Sequence, residues 1–348
     1  MRTLARTELE KMRLLKLEHN KPVPTFRTLF DSYLLNKTTK NRKTTLGKDT
    51  KDGYNSQIRQ KFADILDKPL SDVMSLLTPE EVIARHQDIR DGSGKGAAVN
   101  TFSRLRAIFN YGMGLHPTVI KSNPTKALTD AGVWTKTDPR KTMLQSSTAF
   151  AVFYKAVSAL SEIHRDCYLF ALYHGMRPSE AASVRWDDVD FNAKVVDLSW
   201  MSTETKHRRA QPLSRQSEQI LSMRLQAKGP NDVYVFPSDH HLSKSGHVTL
   251  RADKLRSITG LDLTPHSLRR TFIMVGDHLG LRREDIDRLT NHSDGTVTDV
   301  HYLVDLSLKK ARKPLQQICD KLEAILLGID SADELFYEDL SDDTPESS

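Results

Sequence analysis

The chain has 348 residues, 38% of them apolar, with a formal charge of +6 and a pI near 9.1. That leaves room for two domains and favours a polyanionic partner. Two cysteines, Cys167 and Cys319, exclude a disulfide framework or a cysteine-bound zinc site and fit a reducing compartment.

Residues 3–19 have helical composition, with Leu4, Leu9, Met12, Leu15 and Leu17 among charges, and Asn20-Lys21-Pro22-Val23-Pro24 ends the segment. Residues 1–21 therefore read as a helical arm or connector, without the apolar stretch of a signal peptide. From Thr25 to about Leu128 the pattern is helical. Phe26, Leu29, Phe30, Tyr33 and Leu34 follow helix spacing. Lys37 to Lys51 is polar and basic and predicts a loop. Thr78-Pro79-Glu80-Glu81 is a helix start, with Thr at the N-cap, Pro at the first position and Glu at the third. Val99, Phe102, Leu105, Ile108 and Phe109 mark a further helix that carries Arg104 and Arg106 on other faces. Large apolar residues thin out between 129 and 144, which predicts a linker.

Helices are expected at 147–160 and at about 164–175, the second ending on Gly175. Lys194 to Trp200 and Ala210 to Leu213 read as two short strands joined by a polar stretch, and Tyr234-Val235-Phe236-Pro237 as a third. Helices follow near 248–258, 267–279 and 283–290, then one around Tyr302 and a last one at about 307–327. The last has an apolar stripe of Ile318, Leu322, Ile325 and Leu326, suited equally to its own fold or to a neighbouring copy. From Asp330 onward stand eight acids and no Lys or Arg; setting them aside raises the charge from +6 to +14. No run of about 18 apolar residues predicts a membrane helix. The chain reads as soluble and intracellular.

Three motifs concentrate chemistry. Gly175-Met176-Arg177-Pro178-Ser179-Glu180 places Arg177 at a helix end with Glu180 three residues on. His266-Ser267-Leu268-Arg269-Arg270-Thr271-Phe272 puts His266 and Arg269 on one side of a helix start, where phosphate is favoured. Leu289-Thr290-Asn291-His292 precedes Tyr302 by ten residues. Arginine forks hold phosphate bidentately and keep their charge. A phenol of pKa about 10 can attack phosphorus when a neighbour takes its proton, and the leaving oxygen needs a lysine or histidine donor. The set suits holding a phosphodiester and attacking it with Tyr302. His207, His240, His241, His247, His278 and His301 match no zinc spacing, and Tyr337 lies among acids that would repel DNA.

In order and spacing these motifs resemble the boxes of the tyrosine recombinase family, also called the lambda-type phage integrase family. The resemblance covers roughly 146–310 by motif and 25–128 by helical character. It implies a mainly α fold with a small antiparallel β-sheet. Two domains would clamp DNA: a helical core-binding domain at 22–130 and an α/β catalytic domain at 146–328. Residues 131–145 would link them, and 329–348 would form an acidic tail. It implies that Tyr302 forms a 3′-phosphotyrosyl bond, that Arg177 and Arg269 clamp the scissile phosphate, and that His266 assists proton transfer. His292 would hydrogen-bond the phosphate, and Glu180 would orient the surroundings of Arg177. The family's catalytic lysine lies on a strand–turn–strand element, where Lys206 is the better candidate and Lys194 the rival. Arg270 and Asn291 depart from the residues frequent in the family, and neither departure removes a catalytic group.

The same resemblance implies a site-specific recombinase that integrates and excises a phage or mobile element, with no cofactor and no metal. Its partners would be double-stranded recombination sites, three further copies in a homo-tetramer on paired sites, and accessory DNA-bending or directionality factors, with no membrane. The setting would be the cytoplasm, at the nucleoid of a bacterial host. Lys37, Lys40, Arg42, Lys43, Arg104 and Arg106 are the expected backbone contacts. A type IB topoisomerase-like relaxase and a non-catalytic DNA-binding regulator are the competing readings. The first 21 residues leave open whether arm-type sites are bound.

Overall fold

The computed structural model describes residues 23–37, 45–134, 142–198, 210–238, 243, 245–290 and 301–333, with the backbone alone at 49 and 301–307. The chain divides into two units, Met1–Pro139 and Arg140–Ser348.

The first unit is built from helices α1 (Phe26–Asn36), α2 (Lys48–Lys61), α3 (Leu70–Leu76), α4 (Pro79–Ser93), α5 (Lys95–Leu115) and α6 (Lys126–Asp130). Thr25 caps α1 by accepting from the Thr28 amide, and Thr78 caps α4 by accepting from Glu81 N at 3.3 Å. Each cap satisfies a donor that the first helical turn leaves unpaired. Phe26, Phe30, Phe62, Phe102 and Phe109 are fully buried, and the Phe26 and Phe109 rings stack at 5.4 Å. Burying each such ring contributes about 2–3 kcal/mol. The polar segment 37–51 is partly helical, because α2 begins at Lys48.

The second unit holds α7 (Ser147–Ser158), α8 (Glu162–His174), α9 (Pro178–Ala182), strands β1 (Val189–Asp190), β2 (Val195–Asp197) and β3 (Ala210–Pro212), and then α10 (Arg215–Gln226), α11 (Ala252–Thr259), α12 (Pro265–His278), α13 (Arg283–Thr290) and α14 (His301–Leu326). Helix α8 is buried on every side from Asp166 to His174. It is the axis on which α12, α10, α9, α7 and α14 pack. Arg224 of α10, nearly buried, lies 3.2 Å from both Asp166 and Glu162 of α8 and ties the two helices together. The strands form one antiparallel sheet in the order β1-β2-β3, with Val189 opposite Val196 and Val196 opposite Gln211. The fold is therefore mainly α with a small antiparallel sheet.

Several elements differ from their sequence reading. β1 was not expected, because two residues are too short to show an alternation. Tyr234 and Pro237 make isolated bridges, to Arg185 and His247, with bends between them. The helix around Tyr302 and the last helix are one helix, α14, with Pro314 inside it. Proline removes one backbone donor there, and the buried faces on both sides carry the helix through. Ala311, Leu315, Ile318, Cys319, Leu322 and Ile325 bury the apolar stripe of α14 in its own unit's core.

Both ends of the unit reach past their expected limits. Leu144 is fully buried, and its amide donates to Thr271 Oγ1 at 3.0 Å. At the other end Ala332 is buried and donates to Ser147 Oγ at 2.9 Å, while Asp333 Oδ1 accepts from Ser147 N at 3.1 Å. The first residues of the acidic stretch thus cap the amide end of α7, where the helix dipole favours a carboxylate. The arm at 3–19 and most of the tail lie outside the described residues.

Candidate active site

Gly175 makes the site's first turn. It ends α8 in the left-handed region at φ 56°, and a Cβ there would lie 2.5 Å from Phe272 Cδ1. Glycine alone satisfies both the dihedral and the space. Met176 is buried next to it, and Arg177 becomes the N-cap of α9 with Pro178 at the first helical position.

Glu180 holds Arg177 twice. Its Oε2 accepts from the Arg177 amide at 3.0 Å and its Oε1 from Nη1 at 2.9 Å. The Glu180 side chain is 11% exposed and the Arg177 side chain 43%. The carboxylate is thus the buried anchor and the guanidinium the presented group. This is the arrangement expected of Glu180 at the i,i+3 position, now with its two contacts specified.

Arg269 takes a different position. It lies in the second turn of α12 and is only 2% exposed. Its Nη1 donates to the Gly175 carbonyl at 2.7 Å, and its Nη2 donates to the Thr290 carbonyl. A buried cation is tolerated only where polar groups replace its water; here two backbone carbonyls do so. Arg269 therefore joins the Arg177 turn to the end of α13. His266 stands one turn earlier on α12 and is exposed. Thr264 and Ser267 bond at the start of α12, Thr264 N donating to Ser267 Oγ at 3.0 Å, and fix the direction from which His266 leaves. Arg270, the departure from the family pattern, donates to the Thr142 carbonyl at 3.3 Å.

The end of α13 is held a second time. Gln211 of β3 donates through Nε2 to the Leu289 carbonyl. Behind it, His174 is buried, its ring centroid 4.4 Å from that of Phe170. Burial pulls the His174 pKa down to about 4, and the Gln211 side chain offsets only part of that effect. Neither ring nitrogen of His174 makes a well-formed hydrogen bond among the described residues.

The structure thus gathers Arg177, Glu180, Arg269 and the end of α13 around the Gly175 turn, with His266 one turn up α12. Tyr302 is the second residue of α14, and its side chain is outside the described residues, as are His292 and Lys206. Lys194, the rival lysine, sits at φ 53° in the turn between β1 and β2, and its Nζ lies 2.9 Å from Glu218 of α10. That salt bridge turns it toward α10. In the first unit Lys37 follows α1. Arg104 lies over the Tyr54 ring and donates to the Gly53 carbonyl, and Arg106 lies over the Trp134 ring at 5.5 Å. Lys40, Arg42 and Lys43 lie outside the described residues.

Sequence reasoning passed over Gln211 and His174. A glutamine in a three-residue strand carries no signal of its own. His174 offered one: it ends an apolar run immediately before the Gly-Met-Arg motif.

Residues 146–307, somewhat less than half of the chain, match the model of the phage integrase family. A probable integrase/recombinase of Acholeplasma phage L2 is 26% identical over 144 residues, which are 40% of this chain and 49% of that protein. The match thus spans about half the length of that curated relative. Among solved structures, the Tn1549 transposon integrase in complex with circular intermediate DNA is 15% identical, with a TM-score of 0.58 over 82% of this chain and 99% of the other. A lambda integrase dimer bound to a core site is 18% identical, with a TM-score of 0.59 over 80% and 98%. A lambda integrase tetramer bound to a Holliday junction is also 18% identical, with a TM-score of 0.58 over 86% and 90%. At these identities the likeness is one of fold.

Proposed function

We propose that this protein is a site-specific DNA recombinase of the tyrosine class, which integrates and excises a phage or other mobile element. The observation that carries the reading is the pair of arginines at the Gly175 turn, Arg177 presented by Glu180 and Arg269 seated beneath, within the segment that matches the phage integrase family.

Tyr302 Oη attacks the scissile phosphorus, and a P–O bond to tyrosine forms as the P–O5′ bond breaks. The enzyme is left on the 3′ phosphate. Arg177 donates to the nonbridging oxygens as negative charge builds on them, and Arg269 adds its charge from below the surface. His266 and His292 assist proton transfer and phosphate binding, and Lys206 protonates the departing 5′ oxygen. The phosphotyrosyl bond keeps the energy of the phosphodiester, so a 5′ hydroxyl from a second strand reverses the step without ATP.

Exchange between two duplexes calls for two sites and four copies of the chain, aided by accessory DNA-bending or directionality factors. The helical first unit and the catalytic unit clamp the duplex, and Lys37, Lys40, Arg42, Lys43, Arg104 and Arg106 contact its backbone. Among the described residues no helix is long and apolar enough to cross a membrane. The working location is the bacterial cytoplasm, at the nucleoid.

A Holliday junction built from the cleaved sequence tests the outcome. A recombinase resolves it into two duplexes. Supercoil relaxation without resolution would identify a type IB-like relaxase, and inertness in both assays a DNA-binding regulator.

A further inference from the structure

The last four carbonyls of any helix lack intrahelical partners. At the end of α13 two consecutive ones are taken by side chains from distant segments: the Leu289 carbonyl by Gln211 and the Thr290 carbonyl by Arg269. Two residues beyond Thr290 stands His292, and twelve beyond it Tyr302. Gln211 is itself fixed by its pairing with Val196 in the sheet. It lies in the second residue of β3, immediately after the stretch that carries Lys206. One side chain therefore joins two segments: the strand that follows Lys206 and the helix end that leads to His292 and Tyr302.

We propose that Gln211 is a positioning residue for strand cleavage, seating the end of α13 so that the chain bearing His292 and Tyr302 departs from a fixed point beside Arg177 and Arg269. This rests on the recombinase reading above. Arg269 has a charge to offer the phosphate as well as a carbonyl to hold. Gln211 is neutral and donates to a backbone carbonyl, so its contribution is to geometry. Misplacing a nucleophile by about 1 Å can cost on the order of a hundredfold in rate without weakening binding.

The test uses the full chain, single-turnover formation of the covalent adduct on nicked duplex DNA, and DNA affinity measured in parallel. Gln211→Glu keeps the size and removes the donor; Gln211→Met removes the donor without adding a charge. With melting temperatures near that of the wild-type protein, both variants should form the adduct between about tenfold and a hundredfold more slowly at saturating DNA. Their affinity should stay within about twofold of wild type, because no DNA contact is lost. Gln211→Asn, which keeps the amide on a shorter stem, should recover part of the rate. Rates equal to wild type in both variants would overturn the assignment, as would a rate loss matched by an equal loss of affinity. A wild-type protein that forms no adduct at all would instead remove the recombinase reading, and this role with it.

Discussion

His174 should make the second unit sensitive to acid. Its ring is fully buried at the end of α8, and burial holds its pKa near 4 against about 6.5 in an unfolded chain. On acidification the unfolded chain takes up the proton first. Stability is therefore full above pH 6.5, falls as the pH drops through the window between 6.5 and 4, and levels off below. A gap of about 2.5 pH units corresponds to about 3 kcal/mol over the whole window. For a domain of about 200 residues that is a loss of roughly 6–12 °C in melting temperature. The comparison is with His174→Asn, which does not titrate. The variant should melt lower at pH 7, since it gives up the contact with Phe170, yet lose less between pH 7 and pH 4.5. Groups common to both proteins, including Asp64 and Asp67 held down by their arginines, cancel in the difference. Parallel plots of melting temperature against pH for the two proteins would show that His174 carries no such acid sensitivity.

Two further perturbations follow from the geometry. Gly175→Ala must place a methyl against Phe272 and hold a left-handed residue, a combined cost on the order of 3 kcal/mol. Gly260→Ala, at φ 69° with nothing within 4 Å, carries only the dihedral cost. Urea unfolding should show the first variant clearly less stable than the second; equal values would contradict the packing described around Phe272. In the first unit, replacing Arg104 or Arg106 with Ala should each lower the slope of log affinity against log salt by about 1 if the side chain contacts a phosphate. Unchanged slopes in a filter-binding or anisotropy titration would remove that residue from the DNA surface.

Much of this architecture was legible because local rules and tertiary packing agree. Thr78 caps its helix with Pro79 at the first position, as local preference favours, and Phe26, Leu29, Phe30, Tyr33 and Leu34 share one face of α1, all buried. The Arg177–Glu180 contact is a local one that i,i+3 spacing allows. Other features depend on distant segments. α14 continues through Pro314 because its stripe is covered by α8, α12 and α13. Ala332 looks like part of a solvated tail until Ser147 receives it. Arg269 reads in sequence as a phosphate ligand at a helix start, and its burial comes from the Gly175 and Thr290 carbonyls, which converge on it from 94 and 21 residues away. Gln211 is legible in no local pattern either, since its contact is with a carbonyl 78 residues later.

The proposed attack of Tyr302 on DNA is measured directly by the protein–DNA adduct trapped on a pool of nicked duplexes and mapped by peptide mass. The wild-type protein should carry a 3′ phosphate bonded to Tyr302, and Tyr302→Phe should form no adduct. An adduct on any other residue, or one that survives the Tyr302→Phe substitution, would contradict it.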